Sequence, residues 1–167
     1  MTEPVDRVGR IQAEWARERP DLDVSPQGVI GRLHRVGAAL TEELTAVYRE
    51  HGLGEGDFDV LATLRRAGEP FERTPTELAE HTMVTTGAMT KRIDRLVGRG
   101  LATRRASDTD GRGRVVALTP EGRRLIDVAF EAHLSNEERL LGGLSAPERT
   151  QLEALLTKWA ARLPPRD

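Results

Sequence analysis

Apolar residues recur along most of the chain at three- and four-residue intervals, the period of amphipathic helices, and only two short stretches switch to the alternation of strands. Val5, Val8, Ile11 and Trp15 place a stripe on a helix over about residues 4–19, which ends ahead of Pro20. After a linker, Ser25 and Pro26 mark an N-cap and a first helical position. Val29, Ile30, Leu33, Val36, Leu40, Leu44, Val47 and Tyr48 then carry one stripe through about six turns, until Gly52. A helix of that length exposes more apolar face than one small domain covers, which predicts a partner chain. Asp57 is expected to cap a third helix through Arg66, with Val60, Leu61 and Leu64 inward and Gly68 as its stop. Residues 69–73 read as a loop that can hold a short strand.

The densest set of signals runs from Thr74 to Thr119. Thr74, Pro75 and Glu77 form a capping box for a short helix through His81. Thr82, Met83 and Val84 make a tight connection, and Thr85 or Thr86 caps a second helix to about Arg99, with Gly100 as stop. Met89, Ile93, Leu96 and Val97 share one face of it, whereas Gly87, Thr90, Lys91, Asp94 and Arg95 lie on the others. Leu101–Arg105 and Val115–Leu118 are strand-like and joined by a polar turn rich in Gly, Asp and Arg. Two short helices followed by a hairpin predict a winged helix-turn-helix, with the second helix as the reader of a DNA major groove and Arg112 as the wing tip in the minor groove. Beyond it, Thr119 and Pro120 open a helix toward Leu141, broken by Gly142 and Gly143. Ser145 and Glu148 cap a last helix carrying Leu152, Leu155, Leu156, Trp159 and Leu163.

The fold class expected is mainly α with a small β-wing: a winged helix-turn-helix domain with N- and C-terminal dimerisation helices. Its divisions are residues 1–24 (an added helix and linker on the ligand side), 25–56 (a dimerisation helix), 57–119 (the DNA-binding region) and 120–167 (C-terminal dimerisation helices).

Charge sharpens this picture. The 167-residue chain has net charge −2, yet residues 91–124 hold ten basic side chains against four acidic ones, +6, which leaves −8 for the remainder. Such asymmetry is the footprint of a phosphate-binding face on an acidic scaffold. Arg105 and Arg114 are expected at phosphate, and Thr86, Gly87, Thr90, Lys91 and Arg95 at the major groove. Asp110 orients Arg112 or pairs with an arginine of the reading helix. With no Cys there is no disulfide, thiolate metal site or thiol switch, and the four histidines have no metal-ligand spacing. No metal and no cofactor are expected. Without a long apolar run or a secretory leader, the expectation is a cytoplasmic protein with no membrane partner. No phosphate loop or nucleophile–base set argues for an enzyme.

Asp110, Arg112, Leu118, Thr119 and Gly122 stand where the MarR family of bacterial transcription regulators carries its wing motif, an Asp-x-Arg followed by an apolar strand and Leu-Thr-x-x-Gly. The run from Gly87 to Leu101 also resembles that family's recognition helix. The resemblance implies a homodimer on a palindromic double-stranded operator, with interdigitated terminal helices.

Asp59 and Arg66 are seven residues apart, about 700° of helix, and share a stripe opposite Val60, Leu61 and Leu64. Arg92 lies about 60° from the centre of the Met89/Leu96 face and points inward. Read alone, these charges are more simply a solvated helix surface with a weak ion pair. Together with Trp15 on an added N-terminal helix they resemble the site of the urate-responsive, PecS-type subgroup, which implies that Trp15, Asp59, Arg66 and Arg92 bind urate. An Asp59–Arg92 ion pair is then expected to hold the recognition helix until the anion arrives. The alternatives are a different aromatic anion or purine, and a winged-helix interaction module that does not bind DNA.

Overall fold

The computed structural model describes residues 5–82, 86–106 and 114–164. The chain divides into two compact units, Met1–Leu44 and Thr45–Asp167. Their boundary falls inside the long second helix.

In the first unit, α1 (Arg7–Glu18) packs on the first part of α2 (Ser25–Glu50). Asp6 caps α1 through the Gly9 N–H at 2.8 Å and also receives Nε and Nη2 of Arg32 at 2.9 and 2.8 Å. Val8 is the buried member of the α1 stripe and seats against Gly31 of α2, where a Cβ would lie 3.1 Å from its Cγ1. The acceptor at the start of α2 is Asp23, which takes the Ser25 N–H at 2.9 Å and its hydroxyl at 3.0 Å, rather than Ser25 itself. Val29, Ile30, Leu33, Val36 and Leu40 form an exposed apolar row on α2.

The second unit opens with the end of α2, where Gly52 turns at φ 66°, a value that L side chains rarely adopt. Helix α3 (Glu55–Arg65) starts three residues earlier than expected. Its N-cap is Gly54, and Asp57 sits at the third helical position, its carboxylate 3.4 Å from the Gly54 N–H. Strand β1 (Glu72–Arg73) precedes α4 (Pro75–Thr82), α5 (Thr86–Gly98), β2 (Ala102–Ala106) and β3 (Arg114–Leu118). The three strands form an antiparallel sheet in the order β1-β3-β2. Thr74 and Glu77 make the expected capping box at 2.7 and 3.2 Å. Helix α6 (Pro120–Leu140) and α7 (Ala146–Ala160) follow, separated by a 3-10 turn. The core consists of the inward faces of α3, α4, α5, β3 and α6: Val60, Leu61, Leu64, Leu78, Met89, Ile93, Leu96, Val116 and Ile126 are fully buried. Leu152, Leu155, Leu156 and Leu163 of the C-terminal segment stay exposed. Among the described residues no helix is long and apolar enough to cross a membrane.

Candidate functional site

Helix α5 presents three faces. Met89, Ile93 and Leu96 face the core, and Gly87, Thr90 and Lys91 face solvent. Between them runs an arginine stripe, Arg92, Arg95 and Arg99, spaced at three and four residues along one side of the helix. That stripe meets the first turn of α3. Arg95 donates Nε and Nη2 to Oδ1 of Asp57 at 2.8 and 2.6 Å, and Arg99 Nη1 lies 3.5 Å from Oδ2. The Arg95 guanidinium, expected on the free face, is therefore bound to a carboxylate that is only 5% exposed. Such a charge is sustained by paired cations and donors.

Arg105, expected at phosphate, donates instead to Glu72 of β1 at 2.5 Å, because the antiparallel sheet brings β1 and β2 to either side of β3. Arg104 pairs with Asp94 on α5. Arg114 is exposed at the start of β3. Asp110, Arg112 and the side chain of Thr86 lie outside the described residues.

A second feature opens on the other side of α3. Asp59 and Arg66 line one cavity of about 310 Å³ with Tyr48, Phe58, Phe130 and His133. Tyr48 stacks on Phe58 with ring centroids 4.0 Å apart, and Phe130 is 6.3 Å from Phe58. The Tyr48 hydroxyl and His133 Nδ1 are 3.3 Å apart, while His133 Nε2 faces Glu137 at 3.2 Å. Burial, reinforced by the negative charges of Asp59, Glu137 and Glu55, pushes the Tyr48 hydroxyl up to about 12. Burial also raises the Asp59 carboxyl above its ordinary value, as does Glu55, against the pull of Arg92, Arg66 and His133. A wider cleft of about 540 Å³ adjoins the cavity and shares Ala62, Arg66 and Phe130 with it. Arg66 closes the rim with Nη2 3.4 Å from the His81 carbonyl.

Arg92 points inward, yet the expected Asp59–Arg92 ion pair is not made among the described residues. The guanidinium lies instead on Gly56, where the missing side chain leaves room for it: a Cβ there would come within 2.3 Å of Cζ. Its Nη1 is buried with no hydrogen-bond partner among the described residues. Trp15 belongs to the first unit; Asp59, Arg66 and Arg92 belong to the second.

The sequence pattern did not disclose Asp57, Tyr48, Phe58, Phe130 or His133 as parts of these sites. Asp57 has the same signature as any acidic residue in a first helical turn. Aromatics are only 4% of the chain, and their gathering at one cavity joins α2, α3 and α6, which periodicity within each helix does not reveal.

The sequence model of the MarR family matches residues 51–113. The HTH-type transcriptional regulator PecS of Dickeya dadantii is 40% identical over 89% of this chain and 90% of its own length. A mutant of MarR from E. coli, solved in complex with operator DNA, superposes with a TM-score of 0.70 at 29% identity, over 90% of this chain and 98% of that one. BpsR of Bordetella bronchiseptica, whose DNA binding is regulated by 6-hydroxynicotinic acid, superposes with a TM-score of 0.69 at 25% identity, over 79% of this chain and 92% of that one. These relatives are regulators of transcription, not enzymes.

Proposed function

The chain belongs to the MarR family of transcriptional regulators, and on that premise we propose that it is a homodimeric repressor whose grip on a palindromic operator is loosened by urate. The reader is α5, with Gly87, Thr90 and Lys91 turned to the major groove, joined by Thr86, by Arg112 of the wing in the minor groove and by Arg114 at phosphate. Apolar rows on α2 and on the C-terminal segment form the contact between copies.

The cavity carries the effector reading. A planar purine anion needs a cationic fork and flat apolar walls, and Arg66 with Tyr48, Phe58 and Phe130 supplies both. Seated there, urate adds negative charge beside Asp59 and offers a partner to Arg92, whose Nη1 has none among the described residues. Arg92 is drawn from Gly56 and α5 moves with it. Two readers must meet half-sites about one helical turn apart, so a small shift costs affinity; a coupling of ~1–3 kcal/mol lowers operator affinity roughly 5- to 150-fold.

Fluorescence-anisotropy titration on the duplex upstream of its own coding sequence, with urate, xanthine and salicylate as competitors at fixed salt, tests both parts. Release by urate at lower concentration than the others supports the reading. Tight binding that none of them disturbs refutes the effector assignment and leaves the regulator. Trp15→Phe, tested in the same assay, checks the role that the resemblance gives to Trp15. A second reading keeps the site and changes the ligand to a smaller heteroaromatic acid. It is favoured by the likeness to BpsR and predicts that such an acid outcompetes urate.

A further inference from the structure

The +6 segment reads as a phosphate-binding face, but most of its described charges are already neutralised by the protein. Arg104 is held by Asp94, Arg105 by Glu72 and Arg124 by Glu121. Arg95 and Arg99 of α5 meet Asp57 of α3. Its two oxygens receive Arg95 twice, at 2.8 and 2.6 Å, approach Arg99 at 3.5 Å and are tied to the Gly54 N–H at 3.4 Å. The carboxylate is buried, 5% exposed, whereas the arginine side chains remain 51% and 36% exposed. That asymmetry matters. Either guanidinium has a path to solvent, but if both left they would strand an uncompensated carboxylate in the interior, which is strongly unfavourable.

We propose that Asp57 is a positioning and specificity residue for DNA binding: it holds the guanidinium groups of Arg95 and Arg99 of α5 back on α3 and cancels one of their two charges, so that the reading helix meets the duplex in one fixed register. The proposal rests on the DNA-binding reading above. A cation that reaches phosphate strengthens binding to every sequence alike, whereas contacts of the Gly87, Thr90 and Lys91 face depend on which bases are present. Retaining two arginines therefore lowers affinity for unrelated DNA more than for the operator, and the same bonds fix the angle at which α5 enters the groove. Arg92 completes the contact, since its guanidinium rests on Gly56 in the same turn of α3. The first turn of α3 thus takes up the whole arginine stripe of α5.

The test is the salt dependence of binding, by anisotropy, for the wild-type chain, Asp57→Asn and the triple variant Asp57→Asn/Arg95→Gln/Arg99→Gln. Each is titrated on the upstream duplex and on a scrambled duplex of equal length. Asp57→Asn frees two guanidinium groups, so its plot of log K against log salt steepens by about 1.8, an extra loss of about tenfold between 50 and 200 mM salt. At low salt its affinity for the scrambled duplex rises about tenfold or more, and its preference for the upstream duplex falls. The triple variant returns to the wild-type slope. An unchanged slope in Asp57→Asn overturns the proposal. So does a triple variant shallower than wild type by about 1.8, because the arginines would then already be on phosphate. Should circular dichroism show that Asp57→Asn is unfolded, the triple variant, which has no orphaned charge, decides alone. Wild-type protein that binds neither duplex overturns the DNA reading and this proposal with it, while wild-type binding with a shallow triple variant overturns only this proposal.

Discussion

Gly122 stands against the backbone of Leu101 so closely that a Cβ on it would fall 1.9 Å from the Leu101 carbonyl oxygen. The contact is part of a small knot. Thr119 caps α6 by accepting the Gly122 N–H at 2.9 Å, and its hydroxyl donates to the Gly100 carbonyl at 2.8 Å. The Thr-x-x-Gly of the wing motif thus ties the start of α6 to the turn between α5 and β2. The obstacle at Gly122 is backbone, which cannot swing aside. Gly122→Ala is expected to destabilise the protein by ~2 kcal/mol or more and to lower Tm by roughly 4–8 °C in a thermal melt. An unchanged Tm would show that the start of α6 yields freely.

Asp59 gives a pH-dependent counterpart. Burial holds its carboxyl above the ordinary value, so the folded state keeps this proton more firmly than the unfolded chain. Its contribution to stability is complete below the unfolded carboxylate range and is lost as pH rises through the folded value. Above that folded value the charged Asp59 is a burden. Asp59→Asn is expected to raise Tm at about pH 7, with the gain vanishing toward about pH 3, where the wild-type side chain is itself protonated. A gain that persisted at acid pH would mean that the amide acts by packing.

Arg66 is exposed and lines both clefts beside α3, so its removal spares the core. If it provides the cationic fork for the effector, Arg66→Ala weakens urate binding roughly 10- to 100-fold by calorimetry, the scale of a charged hydrogen bond, and leaves operator affinity within about twofold. Unaltered urate affinity would move the anion site elsewhere.

Gly56→Ala probes the switch directly. The added methyl occupies the seat of the Arg92 guanidinium, the flexible end of a long side chain, so the guanidinium moves while α3 remains folded. The variant should resemble the wild-type protein with effector bound. Its operator affinity without urate is lower by roughly 5-fold or more, and urate lowers it little further. Wild-type affinity together with a full urate response would remove Arg92 from the coupling.

Local rules made much of this protein legible from its residues. The capping pairs Thr74–Glu77 and Ser145–Glu148, the stops at Gly52 and Gly100 and the buried face of Met89, Ile93 and Leu96 depend on hydrogen bonds and helical period within a few residues, and the chain carries those instructions at each position. Even the inward turn of Arg92 follows from its angle on α5. The partners of these charges do not follow. That Arg95 meets Asp57, that Arg92 rests on Gly56 and not on Asp59, and that Tyr48, Phe58 and Phe130 wall one cavity with Arg66 are outcomes of how helices cross. Periodicity decides which side of a helix a residue occupies. Only the tertiary packing decides which residue of another helix stands opposite, because pairing two long flexible side chains requires distances within an ångström between positions tens of residues apart.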